Sequence, residues 1–278
     1  MRFVKTTEDI QRIQGIYSRS HELGVRALTV QFETDPDAVA ALLPPPLEPS
    51  PNPVGVAWVR DVGNSTTVGP HAVAGLAVRA RYREITANYC LSLPVSTSAA
   101  LLFGRDLYGE PSKLAKIVFE EQDEHVWGSA ERHEIRFLSV RGRCNESAPT
   151  GREEHGLFYY KYLPRPDGSG FDTPPVLVHV LEDIGVKTAR RGRGEIVFRD
   201  SPHDPVADLP VRQVLDATYA EGHLYRTARV LSLVDPDAFL PYAFLKTDAL
   251  EEVAEATVLH AQATRRSTDG KGQWRKTA

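Results

Sequence analysis

Cysteine is nearly absent. The 278 residues contain two, Cys90 and Cys144, neither in a Cys-x-x-Cys pair nor beside a histidine at metal-ligand spacing, which excludes a disulfide scaffold and a zinc-ribbon site. Both read as small buried hydrophobes. An excess of positive charge is also missing: 33 Lys and Arg stand against 37 Asp and Glu, for a formal net charge of −4. Neither nucleic acid nor an anionic membrane surface is therefore an expected partner. The one basic cluster, Arg190-Arg191-Gly192-Arg193, lies between strand-like runs and reads as a solvated hairpin tip. No apolar run approaches the roughly 20 residues of a membrane span. The opening residues, Met1 to Asp9, carry no apolar signal core, so the expected location is the cytoplasm. Linker composition and internal repeats are absent too. One domain over 1–278 is expected, with an N-terminal arm or helix at 1–23 and a C-terminal helix and polar tail at 248–278.

The familiar cofactor motifs are missing as well. There is no Gly-x-Ser-x-Gly elbow, P-loop, His-Glu-x-x-His or dinucleotide fingerprint, and Gly192-Arg193-Gly194 lacks the strand-to-helix setting of a nucleotide site. His125, His133, His155, His203 and His223 share no ligand spacing. No cofactor and no metal are expected.

What is present is an apolar content of 41%, enough for a real core, distributed mostly at strand period. Ile10, Ile13 and Tyr17 give residues 7–20 a helical stripe, suited to an arm on the body or on a neighbouring subunit. Val25 to Glu33 alternates behind Arg26, Asp35 caps a short helix beginning at Pro36, and Val54 to Val59 reads as a buried strand. Ala74 to Ile85 alternates as a strand with Arg79, Arg81 and Arg83 on one face and Val78, Ala80, Tyr82 and Glu84 on the other. If that second face is interior, desolvation raises the pKa of Glu84; if it is exterior, Arg81 or Arg83 satisfies the carboxylate. Tyr89 to Val95 is another strand, and Ser98 to Phe103 a short helix stopping at Gly104. Residues 145–156 read as a polar loop. Strands follow at Phe158 to Tyr162, Val176 to Ile184, Val186 to Arg190, Glu195 to Arg199 and Thr227 to Leu233. Leu250, Val253, Ala254 and Val258 mark a terminal helix. The sum is an α+β, β-dominated fold with a curled or closed antiparallel sheet.

The stretch Gly104-Arg105-Asp106-Leu107-Tyr108-Gly109-Glu110-Pro111-Ser112-Lys113-Leu114-Ala115 resembles the central signature of the acetoacetate decarboxylase family. Arg26, the segment Thr34 to Ala38, Leu43-Pro44-Pro45-Pro46-Leu47-Glu48, Tyr82-x-Glu84, Tyr162-Leu163-Pro164, Asp167-Gly168 and Leu209-Pro210-Val211 follow the family's order. Several separated motifs in order are more specific than one. The resemblance covers roughly residues 24–247. It implies a cone-like barrel with a central pocket, cofactor-independent lyase chemistry on a small oxo acid, and a homo-oligomer.

It also implies site residues. The family's signature has two lysines after the proline, the first of which forms a Schiff base with the substrate ketone; here Ser112 holds the first place and Lys113 the second. The essential glutamate of the family falls on Glu84. Arg26 matches an arginine near the pocket and would bind a substrate carboxylate, with an ion pair to Glu33 or Asp35 as the ordinary alternative. Tyr82 joins it as a substrate contact. A second pocket glutamate is due near Val56 to Val59, where none stands. Because adjacent strand residues face opposite sides, Ser112 in the pocket sends Lys113 away from it and leaves no pocket amine; an offset turn brings Lys113 in instead. The leading reading is a lyase performing decarboxylation, aldol or dehydration chemistry with Glu84 as acid/base. A hydrolase or isomerase without a Schiff base, and a non-catalytic small-molecule binder, are the alternatives.

Overall fold

The computed structural model describes residues 3–248. Helix α1 (Thr7–Ser18) begins with a capping box in which Thr6 and Asp9 satisfy each other's backbone N–H groups. Strand β1 (Ser20–Glu33) follows, and Asp35 caps α2 (Pro36–Leu42) with the proline in its first turn. A bridge strand β2 (Glu48–Pro49) precedes the meander β3 (Val54–Ser65), β4 (His71–Tyr82) and β5 (Ile85–Val95). Thr97 caps α3 (Ser98–Phe103), which does not stop at Gly104 but continues as a π-helical turn, Gly104–Tyr108. Gly109 ends it at φ +85°, where an added Cβ would stand 2.6 Å from the Lys161 backbone.

Short β6 (Ser112–Leu114) comes next, then β7 (Lys116–Gln122), β8 (His125–Arg132), β9 (Ile135–Ser147) and β10 (Gly151–Lys161). The two longest strands are β11 (Val176–Phe198) and β12 (Gln213–Leu233), and α4 (Pro236–Phe239) leads to a 3-10 turn, Leu240–Lys246.

Seven strands in the order β10-β5-β4-β3-β1-β12-β11 close into a barrel, because β10 also pairs with β11. Beyond that closure the second half of β11 leaves β10 and pairs with β9, which continues to β8 and β7. Pairing is antiparallel except that β5 runs parallel to both β10 and β6.

Alternation then sorts the core. Val56 and Trp58 of β3, Val73 and Ala77 of β4, Leu93 of β5, Tyr159 of β10 and Val178 and Val180 of β11 pack together inside the barrel. Their strand neighbours Ala57, Val59, Ala74, Leu76 and Val78 pack outward with Val126, Phe137 and Val140 of β8 and β9. A long wall coated on both sides explains the near-continuous apolar run of β4.

Three expectations from pattern need correction. Arg190-Arg191-Gly192-Arg193 is no hairpin tip; it lies within β11, where the strand passes from the barrel to the outer sheet. Gly192 serves close approach, since a Cβ there would lie 1.9 Å from the Arg143 carbonyl oxygen. Residues 145–156 are not one long loop: they are the end of β9 and the start of β10, joined by the short connection 148–150. The strand read as Ala74 to Ile85 ends at Tyr82, and Arg83 and Glu84 make a hairpin turn with Arg83 at φ +53°. The expected terminal helix at Leu250, Val253, Ala254 and Val258 lies outside the described residues. Cys90 and Cys144 are free and buried. No helix among the described residues is long and apolar enough to cross a membrane.

Candidate active site

Ser112 and Lys113 occupy opposite faces of β6, as strand geometry requires, and each face meets a different space. Ser112 pairs with Leu93 of β5 and is enclosed inside the barrel, its Oγ donating to Glu110 Oε2 at 3.3 Å. Glu110 belongs to a buried charge network. Alternation places Arg60 on the inward face that carries Val56 and Trp58, and Glu182 on the face that carries Val178 and Val180. The Arg60 guanidinium grips Glu182 through two parallel bonds of 3.0 Å, and Arg226 Nε adds a third at 2.9 Å. Arg226 also reaches Glu22 at 3.4 Å and Glu110 at 3.5 Å.

The same burial acts differently on two of these carboxyls. For Glu182 burial would raise the pKa, but the two guanidiniums outweigh it and hold the carboxyl well below the usual range. For Glu110 burial prevails over the pull of Arg226 and pushes the carboxyl up. Glu110 Oε1 and Glu22 Oε2 have no hydrogen-bond partner among the described residues. The hollow beside them, lined by Ser20, Glu22, His71, Val73, Glu110 and Arg226, measures about 20 Å³. That is room for a water molecule and not for a metabolite. The charged side chains fill the barrel.

Lys113 faces a larger space outside the barrel wall. A cavity of about 500 Å³ has apolar walls from Leu42, Leu76, Leu91, Val206, Leu209 and Leu245, and a polar end made by Lys113, His203, Asp204 and Asp248. Lys113 Nζ donates to the His203 carbonyl oxygen at 2.5 Å. It stands 3.5 Å from Asp204 Oδ1 and 3.4 Å from Asp248 Oδ1. Arg132 binds Asp204 Oδ2 at 2.7 Å and forks onto both oxygens of Asp248 at 2.8 and 2.9 Å. Burial would raise the Asp248 carboxyl; hydrogen bonds from Arg132 and His133 hold it well below its ordinary value.

His133, His203 and Asp248 bring three potential metal-ligand atoms within 4.8 Å of one another, a grouping that no sequence spacing announced. Both Asp248 oxygens are already engaged by Arg132, and Oδ2 also by His133. As arranged, the group is an ion-pair cluster.

Three of the residues expected at a site lie elsewhere. Glu84 is exposed in the β4–β5 turn, so the enclosed glutamate expected there is absent and the interior carboxyls are Glu22, Glu110 and Glu182 instead. Arg26 lies outside both cavities; it pairs with Asp61, not with Glu33 or Asp35, at 2.7 Å with its side chain 44% exposed. Tyr82 is buried in the outer core and lines neither space.

With the barrel and its two faces in place, comparison with known proteins bears on origin. The sequence profile of the family described as Acetoacetate decarboxylase (ADC) matches residues 10–233. Acetoacetate decarboxylase of Burkholderia vietnamiensis is 25% identical over 200 residues, 70% of this chain and 80% of that protein. The crystal structure of acetoacetate decarboxylase from Legionella pneumophila superposes with a TM-score of 0.71 at 21% identity, covering 77% of this chain and 87% of the other. The enduracididine biosynthesis enzyme MppR, complexed with the condensation product of pyruvate and imidazole 4-carboxaldehyde, gives 0.66 at 16% identity, covering 77% and 89%. A profile match across all twelve strands, joined to a seven-strand barrel of the same fold, places this chain in the acetoacetate decarboxylase family.

Proposed function

We propose that the chain is a cofactor-independent lyase acting on a small oxo acid or related carbonyl compound in the cavity outside the barrel wall, with Lys113 as the amine that meets the substrate. The observation that carries this reading is a contrast of volume, about 500 Å³ on the Lys113 face against about 20 Å³ on the Ser112 face. Small-molecule sites ordinarily need ~300–1,000 Å³. The names of the relatives, a decarboxylase and an enzyme bound to a pyruvate condensation product, support carbon–carbon bond chemistry next to a carbonyl.

The chemistry follows from the polar end. The Asp204 side chain, 3% exposed and 3.5 Å from Nζ, accepts the ammonium proton. The freed lone pair adds to the substrate carbonyl carbon while the carbonyl pair moves to oxygen. A proton passes from nitrogen to that oxygen, the Asp204 carboxyl protonates it again, and water leaves. The resulting iminium nitrogen then accepts the electron pair of the carbon–carbon bond that breaks.

Borohydride reduction in the presence of a panel of 2-oxo and 3-oxo acids tests this directly. The expected result is a reduced adduct on the Lys113 peptide for at least one acid. A ligand that raises the melting temperature yet leaves no adduct across the panel would establish the second reading, a binding protein using the same cavity. The ion pairs that tether Lys113 favour that reading. Hydrolase or isomerase chemistry at Ser112 and Glu110 is disfavoured by the filled barrel.

The same proposal includes a homo-oligomer. Helix α1 has no buried residue, and Ile10 and Tyr17 stay exposed, although Tyr17 packs edge-on against Phe103 with ring centroids 5.1 Å apart. An apolar stripe of this kind is a natural contact for a second copy. Light scattering at micromolar concentration is expected to give a multiple of 30.8 kDa, and a monomer would count against it.

A further inference from the structure

A second lysine is set in an environment unlike that of Lys113. Lys246 ends the 3-10 turn that follows α4. Its Nζ lies 4.1 Å from the centroid of the Tyr162 ring, in a crevice of about 20 Å³ shared with Tyr89, Pro111, Tyr159 and Tyr160. Among the described residues it makes no ion pair and no side-chain hydrogen bond; what attracts it is an aromatic face. The charge fixed next to it has the same sign. Arg105 donates through Nε to the Ser112 carbonyl oxygen at 2.7 Å and through Nη2 to the Lys246 carbonyl oxygen at 2.5 Å, so its guanidinium is clamped beside that residue. Burial, reinforced by Arg105 and Lys161 and opposed by the Glu110 and Asp106 carboxylates, brings the Lys246 amine down to about 8. The residue is nevertheless half-buried and not sealed from solvent.

We propose that Lys246 is a nucleophilic amine that condenses with formaldehyde, the one-carbon aldehyde, forming a covalent modification site separate from the Lys113 cavity. A neutral amine carries the lone pair that an ion-paired ammonium lacks. It adds to the aldehyde carbon, the carbonyl electron pair moves to oxygen, a proton passes from nitrogen to that oxygen, and a second proton from solvent releases it as water. The iminium left on Nζ keeps its positive charge over the Tyr162 face, so the cation–π attraction that held the ammonium also holds the product. The small crevice sets the size limit, because a hollow of about 20 Å³ has no room for a longer carbon chain between the tyrosine rings. No oxidant, reductant or cofactor enters these steps.

The inference does not rest on the proposed function, since the two lysines fall on different peptides. The full chain would be treated with substoichiometric formaldehyde, and separately with benzaldehyde, in the presence of cyanoborohydride from pH 6 to pH 10. The label would be located by peptide mapping. With formaldehyde, Lys246 is expected to react ~10-fold or more faster than the exposed Lys116 at neutral pH, because an amine of pKa about 8 has far more neutral form than an ordinary lysine near 10.4. Its labelling rate should reach half its plateau near pH 8. Benzaldehyde should label Lys116 and spare Lys246, and Lys246→Met should remove the fast phase while leaving the slow labelling of other lysines unchanged. Equal formaldehyde rates at Lys246 and Lys116, or a Lys246 midpoint close to pH 10, would overturn the proposal. Benzaldehyde labelling of Lys246 would overturn the size limit.

Discussion

Glu182→Gln is expected to destabilise the protein by about 3–5 kcal/mol, whereas Glu110→Gln, in the same network, should leave stability within about 1 kcal/mol or raise it. The two carboxyls differ in what burial does to them. Glu182 is the anion that three guanidinium bonds converge upon, and its removal leaves Arg60 and Arg226 short of a counter-charge in a place water cannot reach. Glu110 is already pushed toward its neutral form by burial, so an amide of the same shape that still meets the Ser112 hydroxyl replaces little. At a few degrees per kcal/mol for a chain of this size, Glu182→Gln should melt roughly 10 °C lower. The pH dependence carries the same asymmetry. The folded value of Glu182 lies below its ordinary 4.5, so its stabilisation is complete above that pH and is lost as the pH falls through the folded value. The folded value of Glu110 lies above the same reference, so its contribution is present below pH 4.5 and is lost as the pH rises through the folded value. Thermal unfolding of wild type and both variants at pH 7, pH 4 and pH 2 reads both effects, with the Glu182 loss appearing between the two acid points; equal losses for the two variants would refute this account of the network.

The barrel was legible because motifs in order and period-2 alternation report on the whole chain at once. The interior was less so, for identifiable reasons. A two-residue turn shifts the phase of alternation by one, and the apolar positions do move from Val78, Ala80 and Tyr82 to Ile85, Ala87 and Tyr89, all in the outer core. With neither Gly nor Asn at Arg83 and Glu84 to mark the turn, the pattern reading passes over that shift and runs the strand on to Ile85. Glycines in β11 were read as turn formers, when Gly192 is required by the close approach of Arg143. The charged network joins Glu22, Arg60, Glu110, Glu182 and Arg226 across distances in sequence that no local pattern spans. One signal was nonetheless present. Arg60 follows Val56 and Trp58, and Glu182 follows Val178 and Val180, so each puts a charge on an apolar inward face. Two such violations of opposite sign in separate strands are what a buried ion pair looks like in sequence. Alternation at Ser112 and Lys113 was read with one pocket in mind. The residue turned away from the barrel meets a cavity of its own, because the 202–209 segment and the 3-10 turn roof the outer face of β5 and β6.

Lys113→Arg and Lys113→Met separate catalysis at that cavity from simple binding. Arginine keeps a positive charge beside Asp204 and Asp248, so fold and ligand affinity should persist, but it offers no amine that can lose a proton and add to a carbonyl. Turnover should fall on the order of 10³-fold or more, equivalent to about 4 kcal/mol of lost transition-state stabilisation, with KM little changed. The borohydride adduct should disappear in both variants. Methionine also removes the charge, yet Asp204 and Asp248 retain Arg132 at 2.7 and 2.8 Å, so the loss of stability should stay near ~1 kcal/mol. Asp204→Asn tests the proton step separately. With its amine intact but the nearby proton acceptor gone, imine formation should slow by about 10²–10⁴-fold and still end in the same adduct on Lys113. If Lys113→Arg retains wild-type turnover on the acid that forms the adduct, the amine is a bystander and the proposed chemistry at this cavity is wrong.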